Sequence, residues 1–324
     1  RGPEDSGTYV AGRFGIAHTR LAIIDVAGGH QPIFDAQRRY ALVCNGEIYN
    51  YVELRAELEA AGARPLSQSD SEVALHGFAQ WGRDSFRRLN GMYAYALYDH
   101  QADELWLVRD RLGIKPLYIA ELPDRILFAS ELKALLPLLP QRGIQAQALA
   151  QYFQNQYSTG SDTVIAGVRR VAPGTALRIG RDLKIEAQRY WSALHVTPRA
   201  GLSHEQALEE WGPLFAQVMR EHMRADVPYG VFLSGGVDSA VLLAQLKGYH
   251  GQPIRTYSIG WQDARQRDEL DDAQKMAQLF GSEHRAIRMD AQAVFRRLPR
   301  SVWAADDLMR DYACLPTLAL AEAA

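Results

Sequence analysis

Six consecutive residues carry the clearest chemistry in this chain: Ser234-Gly235-Gly236-Val237-Asp238-Ser239. They follow a mostly apolar run at 227–233 and lead straight into another at 240–246. The spacing predicts a buried strand, a tight turn and a helix that starts at once. Two glycines remove the Cβ atoms that would keep a ligand away from the backbone. The N–H groups of the turn and of the new helix then converge where the helix dipole favours negative charge. That arrangement suits a phosphate chain. No lysine follows Gly236, so the loop is not the Gly-x4-Gly-Lys type. The Asp238 carboxylate would repel phosphates unless a hard cation such as Mg²⁺ lay between them. A plain strand-to-helix connection competes with this reading on the two glycines alone. The full order of Ser, Gly, Gly, Asp and Ser behind an apolar strand favours nucleotide binding.

The elements that must position this loop alternate. Strands are expected near 227–233, 254–259 and 284–288, and helices near 205–224, 239–248, 270–280, 291–303 and 314–323. This is the pattern of parallel βαβ units with ligands at the C-terminal strand ends. Residues 1 to about 190 differ. Short strands at Arg20–Ile24, Tyr40–Cys44, Met92–Tyr98, Glu104–Val108 and Arg125–Ala129, punctuated by Gly, Asp and Asn, point to antiparallel sheets. Two helices interrupt them. One follows Asn50 as N-cap with Glu53 completing a capping box, and runs to Gly62. The other starts near Ser69-Asp70-Ser71 and stops at Gly82. Residues 192–204 lose periodicity and read as a linker.

At 324 residues, two domains are expected. The chain is 47% hydrophobic and 23% charged with a formal charge of −2, so no basic surplus exists for nucleic acid or an anionic membrane. No apolar run approaches the ~20 residues of a membrane helix. Two cysteines, Cys44 and Cys314, make no disulfide framework and suit a reducing cytoplasm. The histidines show no metal-ligand spacing.

The turn at 234–239 resembles the pyrophosphate loop of ATP pyrophosphatases, which release AMP and pyrophosphate. The first half carries further words: residues 1–7 (Arg1-Gly2-Pro3-Glu4-Asp5-Ser6-Gly7), 18–25 (His18 to Asp25), Gly29-His30-Gln31-Pro32, Asn45-Gly46-Glu47-Ile48-Tyr49-Asn50, Ser69-Asp70-Ser71, Leu89-Asn90-Gly91-Met92 and 109–118. In this order, with the loop, they resemble the glutamine-dependent asparagine synthetases nearly end to end. The resemblance implies an N-terminal αββα antiparallel sandwich of the N-terminal-nucleophile hydrolase type over residues 1–191, a linker over 192–204, and a parallel α/β Rossmann-like ATP pyrophosphatase domain over 205–324. It implies glutamine, ATP and aspartate as substrates, Mg²⁺ as cofactor, and a homodimer at family level. By the same resemblance Arg20 grips the glutamine α-carboxylate, Asp70 pairs with its ammonium, Glu47 contacts it, and the Asn45 side chain and Gly46 N–H form an oxyanion hole. Ser234, Gly235, Gly236, Asp238 and Ser239 hold the pyrophosphate, with Asp238 as Mg²⁺ ligand, while the backbone of Leu233, Ile259 and Gly260 meets adenine and ribose. The family's nucleophile is an N-terminal cysteine whose α-amine is its base. It is expected about thirty residues upstream of Arg1, and the second domain is expected to continue past Ala324.

The word at 303–316 keeps Asp306, Asp311 and Pro316 but reads Asp307-Leu308 where the family usually has Glu-Pro. The acceptor carboxylate therefore stays open between aspartate, another acid such as a sugar acid, and a β-lactam-synthetase-like ring closure. A non-catalytic scaffold is the reading from a different class.

Overall fold

The computed structural model describes residues 2–249, 251–262, 269–308 and 311–324. Arg1, Met309 and Arg310, which belong to two of the words above, lie outside the described residues. The chain forms two compact units: Arg1–Leu149 with Ser158–His204 and Arg224–Val227, and Ala150–Tyr157 with Glu205–Met223 and Pro228–Ala324.

The first unit contains β1 (Asp5–Ala11), β2 (Phe14–Arg20), β3 (Ile33–Phe34), β4 (Tyr40–Ile48), α1 (Tyr51–Ala60), α2 (Glu72–Trp81), α3 (Ser85–Arg88), β5 (Gly91–Asp99) and β6 (Glu104–Arg109). There follow β7 (Tyr118–Glu121), β8 (Ile126–Ala129), α4 (Leu132–Leu135), α5 (Ala146–Asn155, entering the second unit at Ala150), β9 (Val168–Arg170), β10 (Thr175–Ile179) and β11 (Ile185–Arg189). Six strands make an antiparallel sheet in the order β11-β10-β6-β5-β4-β3. Successive side chains of β5 point to opposite faces, and both are covered. On one face Tyr93, Tyr95 and Leu97 join Leu42 and Cys44 beneath Leu54 and Leu58 of α1 and Val73 to Leu75 of α2. On the other face Ala94, Ala96 and Tyr98 meet Phe14 and Ile16 of β2 and Ile119 of β7. Each large side chain buried there contributes about 1.5–3 kcal/mol. The second layer consists of the β1–β2 hairpin and a three-stranded sheet ordered β8-β7-β9. Its far face, Tyr118, Ala120 and Val168, is closed by Leu132 and Leu135 of α4. The layers therefore run helix, sheet, sheet, helix, the expected sandwich.

Two local expectations are corrected. Residues 21–24 are not a strand: β2 ends at Arg20 and the chain turns. The apolar run reads as a strand, but Asp25 takes a positive φ of 52° and the turn is folded around the Arg20 side chain. The capping box at Asn50 does not form either. The Asn50 amide instead donates to the Arg88 carbonyl and accepts from Asn90 N–H, and Glu53 pairs with Arg224. Long-range partners outcompeted the local one.

The second unit holds α6 (His204–His222), β12 (Gly230–Phe232), α7 (Val237–Tyr249), β13 (Arg255–Trp261), α8 (Glu269–Phe280), β14 (Glu283–Met289), α9 (Ala291–Ala305) and α10 (Cys314–Ala323). The strands form a parallel sheet in the order β12-β13-β14. Val231 and Leu233, Leu243 and Leu246 of α7, Ile254, and Ala273 and Ala277 of α8 make its core.

Candidate active sites

The first site is built on the end of β4. Only its first residues are covered by β3, which pairs at Ala41 and Leu42. Beyond them, side chains replace a strand. The Gln31 amide accepts from Cys44 N–H (2.7 Å) and donates to the Cys44 carbonyl (3.2 Å), and the Asp70 carboxylate accepts from Ile48 N–H (2.8 Å). Backbone groups two residues apart point the same way along a strand. Gly46 lies midway between Cys44 and Ile48, so its N–H points to that same edge while Asn45 faces β5. Here only glycine fits: φ is +148°, and a Cβ would stand 2.0 Å from the Met92 carbonyl oxygen.

Asp70 is buried beside this edge. Burial pushes its carboxyl up to about 6; hydrogen bonds from the Ile48 and Ser71 N–H groups oppose this, and the charge of Glu47 adds to it. A carboxylate held at such cost is suited to receive a cation. Cys44, directly before the candidate oxyanion residues, is fully enclosed, and burial pushes its thiol up to about 12. It is a core side chain, not a nucleophile.

Arg20, at the end of β2, is also buried. Its Nη2 donates to the carbonyls of Ile24 (2.9 Å) and Asp25 (2.7 Å) and its Nη1 to that of Val26 (3.2 Å). These bonds engage three of the five guanidinium donors. The turn is further held by the Asp25 carboxylate, which accepts from Gly28 N–H and from Gln68 N–H, both within 2.9 Å. Asp25 thereby ties the Arg20 turn to the segment that carries Asp70 two residues later.

The second site is the turn after β12. The parallel ladder continues one residue past the strand, with Leu233 N–H on the Tyr257 carbonyl (2.8 Å) and the Ser258 hydroxyl on the Leu233 carbonyl. Ser234 therefore starts the turn at the C-terminal edge of the sheet, beside Ile259 and the buried Gly260 at the end of β13. The Ser239 Oγ stitches the turn, accepting from Ser234 N–H (3.1 Å) and lying 2.9 Å from Ser234 Oγ. Ser234 Oγ in turn accepts from Gly236 N–H (3.1 Å). At Gly235 a Cβ would lie 3.2 Å from Asp272 Cβ, so the glycine lets α8 approach the turn. Asp238, in the first turn of α7, is exposed. Among the described residues no cluster of three His, Cys, Asp or Glu could hold a metal alone. Mg²⁺ commonly takes one or two carboxylates and completes its shell with phosphate oxygens and water. A single exposed carboxylate beside a Gly-Gly turn at a helix N-terminus fits that habit.

Sequence reasoning gave no role to Gln31, Asp25 or His18. His18 Nε2 lies 3.2 Å from the Cys44 carbonyl, its Nδ1 is buried without a partner among the described residues, and burial lowers its pKa. The words containing these residues were visible, but which atoms they bridge depends on pairing between segments far apart in the chain.

Residues 1–191 match the family model of the glutamine amidotransferase domain, and residues 210–324 that of asparagine synthase. The chain is 34% identical over 324 residues to asparagine synthetase (glutamine-hydrolyzing) 1 of Bacillus subtilis, covering 100% of this chain and 51% of that protein. It is 37% identical over 340 residues to a putative asparagine synthetase (glutamine-hydrolyzing) of Mycobacterium bovis, covering 100% and 52%. It is 28% identical over 342 residues to amidase chry2 of Gibberella zeae, covering 100% and 50%. The chain thus spans about half the length of the curated relatives it matches.

Proposed function

The chain belongs to the family of glutamine-hydrolysing asparagine synthetases, with a glutamine amidotransferase domain ahead of an asparagine synthase domain, and from this we propose that it serves ATP-dependent amide synthesis with glutamine as nitrogen donor. Residues 1–191 carry the glutamine site and residues 205–324 the ATP site, with 192–204 between them. Arg20 receives the α-carboxylate of glutamine, and Asp70, ionised above about pH 6, receives its α-ammonium. Glu47 adds negative charge on the ammonium side. The amide carbonyl is directed at Gly46 N–H and the Asn45 side-chain amide, two donors for the charge that develops on the oxyanion. This half is supported by the β4 edge, where the N–H groups of Cys44 and Ile48 are held by side chains and Gly46 lies midway between them.

In the second unit, Ser234, Gly235, Gly236 and Ser239 take the β and γ phosphates of ATP against the N-terminus of α7. The backbone of Leu233, Ile259 and Gly260 borders adenine and ribose. Asp238 would hold Mg²⁺, which supplies charge neutralisation between the carboxylate and the phosphates. An acceptor carboxylate then attacks the α-phosphorus, pyrophosphate leaves, and ammonia displaces AMP from the acyl-adenylate to give the amide. Aspartate is the acceptor we propose. Amidation of a different carboxylate is the second reading, favoured by Asp307-Leu308 on the acceptor side and by a relative named as an amidase.

Both readings are tested together. The whole natural protein is incubated with glutamine, ATP, Mg²⁺ and a panel of carboxylic acids, and pyrophosphate, AMP and glutamate are scored. Stoichiometric release with aspartate is expected. Release with another acid alone selects the second reading, and no acid-dependent pyrophosphate rejects both.

A further inference from the structure

The three residues Arg224-Ala225-Asp226 stand just ahead of β12 in the chain, beyond the amidotransferase match, yet they belong to the first compact unit. The Arg224 guanidinium forks over the start of α1. Nη1 donates to the Tyr49 carbonyl (2.5 Å) and to Glu53 Oε2 (2.8 Å), and Nη2 donates to Glu53 Oε1 (2.5 Å). Two residues on, Asp226 makes a reciprocal pair with the other loop. Its N–H donates to the Ile23 carbonyl (2.9 Å), and its carboxylate accepts from Asp25 N–H (2.7 Å).

These partners border the glutamine site. Tyr49 lies two residues past Glu47, within the Asn45–Asn50 word. Ile23 and Asp25 flank Ile24, and Arg20 holds the carbonyls of both Ile24 and Asp25. One short segment therefore ties the loop that carries the carboxylate grip to the strand end that carries the oxyanion donors.

We infer that Arg224 and Asp226 are positioning residues for glutamine, setting the spacing between Arg20 and the Asn45–Gly46 edge. The inference rests on the glutamine reading above. An exposed ion pair adds little to stability, so its effect belongs in ligand fit, where a displacement of about 1 Å weakens function many-fold. Arg20 meets the substrate's α-carboxylate in the ground state, so the Michaelis constant is the quantity that moves.

The test is steady-state glutamine hydrolysis by the whole natural protein and its variants, with ammonia-driven pyrophosphate release measured in parallel. Asp226→Ala is expected to raise KM for glutamine about ten-fold, with kcat within about three-fold and the ammonia-driven reaction unchanged. Asp226→Asn keeps an acceptor for Asp25 N–H and should restore KM to near the wild-type value. Arg224→Lys keeps the charge but loses the fork, and should fall between wild type and Arg224→Met. An unchanged KM in Asp226→Ala, or a parallel loss of the ammonia-driven reaction, overturns the inference. If the wild-type protein hydrolyses no glutamine, the functional reading fails instead. The clasp is then judged by amide exchange at residues 22–29, and exchange no faster in Asp226→Ala overturns it.

Discussion

At single residues the structure separates groups that hold the site from groups that only surround it. Gly46 is required by geometry. Gly46→Ala would press a methyl group to 2.0 Å from the Met92 oxygen, costing about 2 kcal/mol or more and displacing the N–H proposed for the oxyanion. Glutamine hydrolysis should be lost while ammonia-driven amide synthesis persists, as paired assays would show. Cys44 is the opposite case. With its thiol held near 12 it is uncharged at neutral pH, and Cys44→Ala should keep kcat for glutamine within about two-fold while lowering stability by about 1 kcal/mol. A large loss of kcat would contradict a purely structural Cys44. Asp70 costs the fold stability at neutral pH. Folding raises its carboxyl from near 3.8 to about 6, so the native state holds the proton over that window and the unfolded chain does not. Stability from this group therefore falls as pH rises from about 4 to 6 and stays low above it. Asp70→Asn should unfold later than wild type at pH 7, by an amount on the order of 2 kcal/mol, with the gap closing near pH 3.5. In the wild-type protein, KM for glutamine should rise as pH falls through 6, because a neutral Asp70 cannot hold an ammonium. A KM flat across that range would remove Asp70 from the pocket.

Elements were legible in the sequence where their pattern is local. The parallel βαβ series, the strands β4 and β5, and the strand-turn-helix at 230–249 could be read from period and punctuation, because alternation and Gly-Gly act within a few residues. The turn at residues 21–28 could not. Leu21 to Ile24 satisfy a strand pattern, and only the buried Arg20 guanidinium, collecting three carbonyls, makes the turn the better solution. The failed capping box at Asn50 has the same cause, since Arg88, Asn90 and Arg224 are invisible to a four-residue window. At the phosphate turn, Asp238→Ala leaves every stitch of Ser234 and Ser239 in place. It should abolish ATP-dependent pyrophosphate release at any Mg²⁺ concentration and spare glutamine hydrolysis. Pyrophosphate release surviving in this variant would refute the assignment of Asp238.

For the whole molecule, the linear order of the chain and its compact units disagree in two places, at residues 150–157 and at residues 224–227, and the second is the more informative. The sequence suggests a clean passage from one domain to the next through residues 192–204, and among the described residues 193–206 do form a long exposed run. Brief trypsin treatment should cut after Arg199 early, as mass mapping of the fragments would reveal. What the sequence could not reveal is that residues 224–227 return to the first unit, because Arg224 and Asp226 find partners 171 and 201 residues away. That return has a consequence in time. A ribosome adding about 5–20 residues per second reaches Asp226 some 10–40 s after Asp25. The strands that bear Arg20 and Asn45 are long since made, yet the last clasp on their spacing arrives with the opening residues of the segment leading to the phosphate turn. On the proposed reading, a nascent chain would thus leave the proposed glutamine site loosely set until the segment proposed to bind ATP is already being made.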